Sequence, residues 1–132
     1  MPDHFFFYGT LFPQYAPDHL RETLAGFSLI GEGWLRGTLY DFGNYPGAVF
    51  DDSSQTKVFG RVYQATCEDL LLAELDRYEG YDQLSPEAGE YIRRRRNVTL
   101  ANGSVVECWT YDYNWSTVGF PIIAIGRWSG GA

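Results

Sequence analysis

Short segments rich in aromatic and β-branched residues, separated by glycines and polar turns, run through most of this sequence and limit how it can fold. They predict strands or β-rich segments at residues 4–8, 27–43, 46–52, 57–65, 91–100 and 104–113. An Asn-Gly pair within residues 101–104 predicts that the last two form a hairpin. Two helix patterns interrupt the strands. This content implies an α+β fold with a mixed sheet, closed or curved on itself, and helices packed outside.

Domain organisation follows from length and composition. The chain has 132 residues and no repeat, linker or low-complexity tract, which predicts one domain over residues 1–132. Hydrophobic residues make up 45% and aromatic residues 17%, so the chain has enough apolar surface for a core without metals or disulfides. With ten tyrosines in the chain, we expect several to line the core or a pocket.

The charge balance and the scarce cysteines and histidines exclude several classes of protein. Seventeen acidic against ten basic residues give a net charge of -7, which disfavours nucleic acid and anionic membranes as partners. Cys67 and Cys108 are not paired as C-x-x-C, and neither lies near His4 or His19 in the sequence, so no metal site is expected. No cationic leader precedes the N-terminal apolar run, and no run approaches the roughly 20 apolar residues of a membrane span. We expect a soluble, cytoplasmic protein with reduced thiols.

The two helices carry start and stop signals. The first lies in "PDHLRETLAGF", with Pro17 early and Gly26 just past its end. The second is "TCEDLLLAELDRYEG", in which Thr66 and Asp69 are spaced as a capping box and Gly80 is the stop.

Glu79 is the first candidate site residue because its position breaks two local rules. It has the helical phase of Leu72 and Leu75, so it faces the core, and it lies at the electronegative helix end. Both the helix end and an apolar setting raise the pKa of a carboxyl toward neutrality, and the neighbouring Tyr78 and Tyr81 are placed to exclude water. Such a carboxyl suits general acid/base chemistry. The alternative is a surface glutamate on an ordinary helix end.

The segment "FFYGTLF" is the second candidate. A strand that stops at a glycine allows the backbone N–H groups of Gly9, Thr10 and Leu11 to point into one concavity, which suits a carboxylate or an oxyanion. The alternative is a simple turn after a strand.

Several short motifs, in order along nearly the whole chain, carry a family resemblance. They are "YGTL" (8–11), "YPGAVF" (45–50), "VFGRVY" (58–63), "LDRYEGYD" (75–82), "YIRR" (91–94), "CWTYDYN" (108–114) and "AIGRW" (124–128). The chain resembles the gamma-glutamylcyclotransferase-like superfamily, and most closely its gamma-glutamylamine cyclotransferase branch.

The resemblance implies a small mixed β-barrel with short flanking helices and a pocket between the "YGTL" loop and a helix end. Members that are enzymes cyclise a γ-glutamyl group to 5-oxoproline and release the attached amine. By resemblance, Glu79 is the acid/base, and the substrate-binding residues are Tyr8, Gly9, Thr10, Leu11, Arg93 and either Tyr111 or Tyr113. The implied partner is a small γ-glutamyl compound.

The reaction needs few protein groups. The substrate's own α-amine is the nucleophile, so one carboxyl that carries a proton from that amine to the leaving amine is sufficient. Holding the substrate folded supplies the proximity effect. Neither a metal nor an organic cofactor is called for.

Three rival interpretations remain. Cys67 lies in the first turn of a helix, where a thiol's pKa can fall, but a buried structural thiol is the simpler interpretation. The run of residues 93–96 suggests a polyanion partner, although alternation along a strand sends Arg93 and Arg95 to one face and the other two arginines to the opposite face. By resemblance to the family's "YxR" element, one of these arginines, with Arg93 the first choice, is instead expected to help order the site by pairing with a carboxylate. Finally, the same fold can serve as a non-catalytic binding module.

Substrate identity and oligomeric state are not readable from the sequence. The loop "FPQYAPDHL" departs from the glycine-rich or asparagine-bearing stretch of many relatives, and it shapes the substrate entrance. Candidate substrates include γ-glutamyl amines of the lysine type, γ-glutamyl dipeptides and γ-glutamyl groups that protect a biosynthetic intermediate.

Overall fold

The fold is taken from a computed structural model, which describes residues 2–9, 16–66, 69–82 and 84–128. These residues form six strands and two helices. In chain order the elements are β1 (Pro2–Phe7), α1 (Asp18–Ala25), β2 (Ser28–Asp41), β3 (Pro46–Phe50), β4 (Lys57–Thr66), α2 (Asp69–Glu79), β5 (Tyr91–Leu100) and β6 (Val105–Tyr113). Neither helix is long and apolar enough to cross a membrane.

Five of the strands close into a mixed barrel. The strand order is β3-β2-β4-β1-β6-β5, and a further pairing of β2 with β5 closes the ring and leaves β3 outside it on β2. The pairing of β1 with β6, at Phe5 and Trp109, is parallel, and the other strand pairs are antiparallel. The α+β prediction and the small mixed barrel with short flanking helices are therefore confirmed.

Strand β2 makes the closure possible because it is 14 residues long and pairs with three partners. Gly33 lies opposite Gly60 of β4 on one side and opposite Leu100 of β5 on the other. An irregularity in register between Leu29 and Gly31 interrupts the ladder, as expected for a strand that bends around a barrel.

The predicted hairpin joins β5 and β6. The backbone N–H of Leu100 donates to Ser104 O at 2.8 Å, and Asn102 Oδ1 accepts from the Ser104 N–H at 2.9 Å. Gly103 has a φ of 90°, which a glycine adopts without strain. The Asn-Gly signal thus located this turn correctly.

Two apolar clusters lie on opposite faces of β1, because successive side chains of a strand alternate. Phe6 packs with Val58, Val62 and Val98 of the barrel strands, which fill the barrel interior. Phe5 and Phe7 face the other way and pack with the helices, in the cluster that includes Leu20, Leu24 and Leu75. The helices therefore dock on one outer face of the barrel, and α2 is held there through Leu75.

The start of α2 lies partly outside the described residues. Cys67 falls in that gap, and the side chains of Thr66 and Asp69 are not described, so the capping-box expectation stays a prediction. The end of α2 at Glu79 agrees with the predicted stop at Gly80.

The docking of α2 gives the first testable prediction. Leu75→Ala removes a fully buried side chain between helix and barrel, so we expect the free energy of unfolding to fall by about 2–5 kcal/mol. Leu84→Ala is the matched control, because Leu84 is 92% exposed and its truncation is expected to cost less than about 0.5 kcal/mol. Urea unfolding followed by tryptophan fluorescence measures both, and equal losses would contradict this docking.

Candidate active site

The end of α2 is fixed by a Schellman motif in which Glu79 is the last helical residue. The N–H of Tyr81 donates to Asp76 O at 2.8 Å, and the N–H of Gly80 donates to Arg77 O at 3.3 Å. Gly80 has a φ of 73°, the left-handed conformation that this motif requires and that glycine adopts most readily. The backbone therefore determines the direction in which Glu79 leaves the helix.

A cavity of about 320 Å³, open mouth included, lies beside this helix end. It is lined by Phe6, Phe7, Tyr8, Gly9, Pro46, Glu79, Tyr91 and Tyr111. Glu79 and the described part of the "YGTL" segment, which the sequence separates by some 70 residues, thus line the same space. Thr10 and Leu11 lie outside the described residues. The cradle, by which we mean the concavity formed by the backbone N–H groups of Gly9, Thr10 and Leu11, therefore stays a prediction.

The hydroxyls of two tyrosines that line the cavity form hydrogen bonds with other groups of the protein. Tyr8 donates to Tyr111 O at 2.6 Å and accepts from the N–H of Ala48 at 3.2 Å. Tyr91 donates to Pro46 O at 2.6 Å. Burial raises the pKa of both hydroxyls well above the ordinary value, so both keep their protons at neutral pH.

The third tyrosine that lines the cavity, Tyr111, is hydrogen-bonded to a member of a buried ion pair. Tyr111 donates to Asp76 Oδ1 at 2.8 Å, and Arg93 Nε lies 3.0 Å from the same oxygen. The Arg93 Nε–H makes no hydrogen bond, so this contact is an ion pair without hydrogen-bond alignment. The Arg93 side chain is 7% exposed, with its guanidinium carbon 4.5 Å from the ring centre of Trp109 and 5.6 Å from that of Tyr81. Arg93 thus lies behind the cavity wall, paired with a carboxylate as expected for an ordering role.

Glu79 is a half-buried residue that lines the cavity. Within the described part of the chain, no hydrogen bond or ion pair to its carboxyl is found. Burial, followed by the charges of Glu90 and Asp76, raises the pKa of Glu79 to about 8. The inward orientation and the raised pKa were both expected, but two neighbouring carboxylates add to the effect of burial.

The aromatic surroundings of Glu79 differ from the sequence expectation. Tyr78 and Tyr81 are not among the described residues that line the cavity, and strand tyrosines take that place. Of the two alternatives on β6, Tyr111 lines the cavity and Tyr113 does not. The Tyr113 ring packs behind the wall, 5.4 Å from the ring of Tyr91 and 4.4 Å from that of Phe42.

Sequence reasoning missed Asp76 and Glu90. Asp76 precedes Glu79 by three residues on α2, a spacing that places both on one side of a helix and was the available signal. Glu90 comes just before β5 and accepts from the Tyr45 hydroxyl at 2.7 Å. Nothing in the sequence around Glu90 indicated this position.

The arginine run divides as alternation predicts. Arg93 and Arg95 approach the Trp109 ring, and Arg94 and Arg96 pair with Asp112. The four cations are therefore split between two faces of β5, each beside an acidic or aromatic partner, rather than gathered as a polyanion site.

The described cysteine and the possible metal ligands do not indicate a different kind of active site. Burial, followed by the charge of Glu107, raises the pKa of the Cys108 thiol to about 12, so it stays protonated. Cys67 lies outside the described residues. In the described ranges, no group of three or more His, Cys, Asp or Glu residues is arranged to hold a metal ion.

Comparison with known proteins gives consistent matches over nearly the whole chain. A model of the family described as "Gamma-glutamyl cyclotransferase, AIG2-like" matches residues 5–130. The gamma-glutamylcyclotransferase family protein ytfP of Citrobacter rodentium is 31% identical over 124 residues, which are 93% of this chain and 92% of that protein.

Solved structures share the fold. YkqA from Bacillus subtilis matches with a TM-score of 0.68 and 26% identity over 97% of this chain, which spans only 40% of YkqA. An AIG2-like protein from Mus musculus matches with a TM-score of 0.70 and 21% identity, covering 97% of this chain and 88% of that one.

The raised pKa of Glu79 predicts how stability depends on pH. The folded chain keeps the Glu79 proton up to about pH 8, whereas the unfolded chain releases it near the ordinary value of 4.5. Between these values the folded state binds more protons, so the contribution of Glu79 to the free energy of unfolding falls as pH rises, at most by roughly 1.4 kcal/mol per pH unit.

Glu79→Gln tests this dependence because the amide resembles the protonated acid but does not titrate. We expect the variant to gain stability relative to the wild type as pH rises from 5 to 8, measured by urea unfolding at several pH values. Parallel stability curves for the two proteins would contradict the raised pKa.

Proposed function

Because this chain belongs to the gamma-glutamyl cyclotransferase, AIG2-like family, we propose that it cyclises the γ-glutamyl group of a small amine or peptide to 5-oxoproline and releases the amine. One observation carries the proposal. Glu79 is the one carboxylic acid among the described residues that line the cavity, and it shares that lining with Tyr8 and Gly9.

The proposed reaction transfers one proton and exchanges one bond. The substrate's α-amine nitrogen attacks its own γ-carbonyl carbon, a five-membered ring forms, and the bond from that carbon to the leaving nitrogen breaks. The ionised form of Glu79 accepts the proton that the attacking nitrogen loses and returns it to the leaving nitrogen, so the enzyme ends in its starting state.

The pKa of Glu79 suits this shuttle. A carboxyl with a pKa of about 8 is a stronger base than one at the ordinary value of 4.5, so taking a proton from the substrate's α-nitrogen costs less free energy. A glutamate at its ordinary pKa is a much weaker base toward an ammonium. Burial thus improves Glu79 as a base for this substrate.

The other described cavity groups support a binding role rather than proton transfer. The hydroxyls of Tyr8, Tyr91 and Tyr111 are all donated to protein acceptors, which leaves their rings to pack against the methylene groups of a γ-glutamyl chain. No Lys or Arg is among the described lining residues, so we propose that backbone N–H groups of residues 8–11 bind the substrate's α-carboxylate. Arg93 and Tyr113 support this wall from behind.

Turnover is the direct test of this function. We expect the wild-type protein to form 5-oxoproline, detected by mass spectrometry, from at least one member of a panel of γ-glutamyl amines and dipeptides. Glu79→Gln removes the proton carrier but keeps the shape, so we expect kcat to fall by about 10²–10⁴-fold while the substrate still binds. Glu107→Gln is the control, because that side chain is 59% exposed and is expected to leave kcat unchanged.

The same panel separates an enzyme from a binding module on this fold. Calorimetric binding of γ-glutamyl compounds without turnover in either the wild type or Glu79→Gln would favour the binding module. A Glu79→Gln variant with wild-type turnover would remove Glu79 from the proposed mechanism.

The cradle gives a further prediction at Gly9. A Cβ at this position would lie 2.5 Å from Pro46 Cγ and 2.9 Å from Pro46 Cδ, so Gly9→Ala must displace one wall of the cavity. We expect kcat/KM to fall about tenfold or more in this variant, since misplacement by an ångström is costly for an intramolecular reaction. Gly31→Ala is the control, because its Cβ would meet nothing within 4 Å. Equal kcat/KM values for the two variants would argue against the cradle.

A further inference from the structure

Asp76 is a buried carboxylate that the proposed reaction does not use directly. The residue is 5% exposed, and its oxygen Oδ1 lies 2.8 Å from the Tyr111 hydroxyl and 3.0 Å from Arg93 Nε. It therefore joins α2 to β5 and β6 at the level of the cavity.

Arg93 contacts both ends of the turn that holds Glu79. It pairs with Asp76, whose carbonyl accepts the long hydrogen bond of the Schellman motif, and it lies over the ring of Tyr81, whose N–H donates that bond. Its guanidinium also packs on Trp109, so its own position is restricted. Arg93 therefore contacts the last turn of α2, which ends at Glu79, at both of its ends.

Tyr111 extends the connection to Tyr8, another residue that lines the cavity. Its ring lines the cavity, its hydroxyl is held by Asp76, and its backbone carbonyl accepts the hydroxyl of Tyr8. A continuous set of contacts therefore runs from the helix end that carries Glu79 to the segment that begins the cradle.

We propose that Asp76 is a positioning residue for the cyclisation: held by Arg93 and Tyr111, it fixes the Glu79 carboxyl at the cavity and places its own buried charge beside that carboxyl. This inference rests on the proposed function for its catalytic meaning.

The charges around Glu79 support the second part of this role. The titratable groups that face it are Glu90 from the segment before β5, Asp76 from α2, and the hydroxyls of Tyr8, Tyr91 and Tyr111 from the barrel. The tyrosines stay neutral, so the two carboxylates act on Glu79. Glu90 is the stronger of the two but is partly exposed and open to screening by salt, whereas the effect of the buried Asp76 is screened less.

Stability alone does not account for the Asp76–Arg93 pair. Burying two charges removes both from water, and replacing a buried ion pair with apolar residues of similar volume is often neutral or stabilising. A specific orienting role explains why the cost is tolerated next to the cavity.

Asp76→Asn tests the proposal through the pH dependence of kcat/KM. Substitution of a residue with a purely structural role is not expected to change that dependence. The acid limb of the kcat/KM profile reports ionisation of the free enzyme, and losing a negative charge beside Glu79 shifts this limb to lower pH. We expect a shift of about half a pH unit or more, equal to about threefold in kcat/KM on that limb.

Asp112→Asn is the matched control. Asp112 is also buried, pairs with Arg96, and lies on β6 next to Tyr111, but its charge is not among those that act on Glu79. We expect this variant to lose stability as Asp76→Asn does. The acid limb of its kcat/KM profile is expected at the same pH as in the wild type. A limb displaced equally in both variants would overturn the proposal.

The double variant Asp76→Asn, Arg93→Gln covers the case in which the single variant does not fold. It removes both buried charges together, so it is expected to be more stable than Asp76→Asn and still to show the displaced limb. A double variant with the wild-type limb would show that Asp76 acts only through stability, and the proposal would be wrong.

Titration of the Glu79 carboxyl carbon by NMR gives the same information without turnover. We expect its midpoint at lower pH in Asp76→Asn than in the wild type, and an unchanged midpoint would contradict the electrostatic role. If the wild type fails to produce 5-oxoproline but the midpoint moves, the proposed function fails while the link between Asp76 and Glu79 stands.

Discussion

A carboxyl without a cation partner among the described residues is the constraint around which the site is built. Glu79 borders the cavity, yet Arg93, the nearby buried cation, is engaged by Asp76 instead. Had Arg93 paired with Glu79, the cation would lower the pKa of that carboxyl and make it a weaker base toward the substrate's nitrogen. The division of charges therefore matters more than their number: Asp76 pairs with the cation, and the pKa of Glu79 stays raised.

The barrel brings together the groups that this arrangement needs. Alternation along β1 sends Phe6 into the barrel and Phe5 and Phe7 toward the helices, so the end of β1 emerges between the two clusters. The parallel pairing of β1 with β6 then places Tyr8 within hydrogen-bond distance of Tyr111. The cavity arises where a strand end, a neighbouring strand and the docked helix end meet.

Local sequence signals predicted what depends on local structure. The phase of Glu79 with Leu75, followed by Gly80, was sufficient to predict an inward carboxyl at a helix end, and the Asn-Gly pair located the hairpin turn. The choice between Tyr111 and Tyr113 requires the curvature of β6 and the position of α2, which no local pattern encodes. The influence of Glu90 on Glu79 depends on contacts between distant segments, and the sequence around it carries no signal for them.

The absence of Lys and Arg from the described cavity wall has a consequence for recognition. Under the proposed function, an α-carboxylate bound by backbone N–H groups is recognised by the path of the chain after β1, and no Lys or Arg of the described cavity wall takes part. Main-chain donors survive most substitutions, so the proposed function predicts that substitutions after Gly9 alter the choice of leaving amine while the carboxylate is still bound. Glu79 differs in this respect, because its proton depends on one side chain and on burial around it. We therefore expect the reaction to be tied to Glu79 and its surroundings, and the identity of the leaving amine to be set by the loop that follows β1.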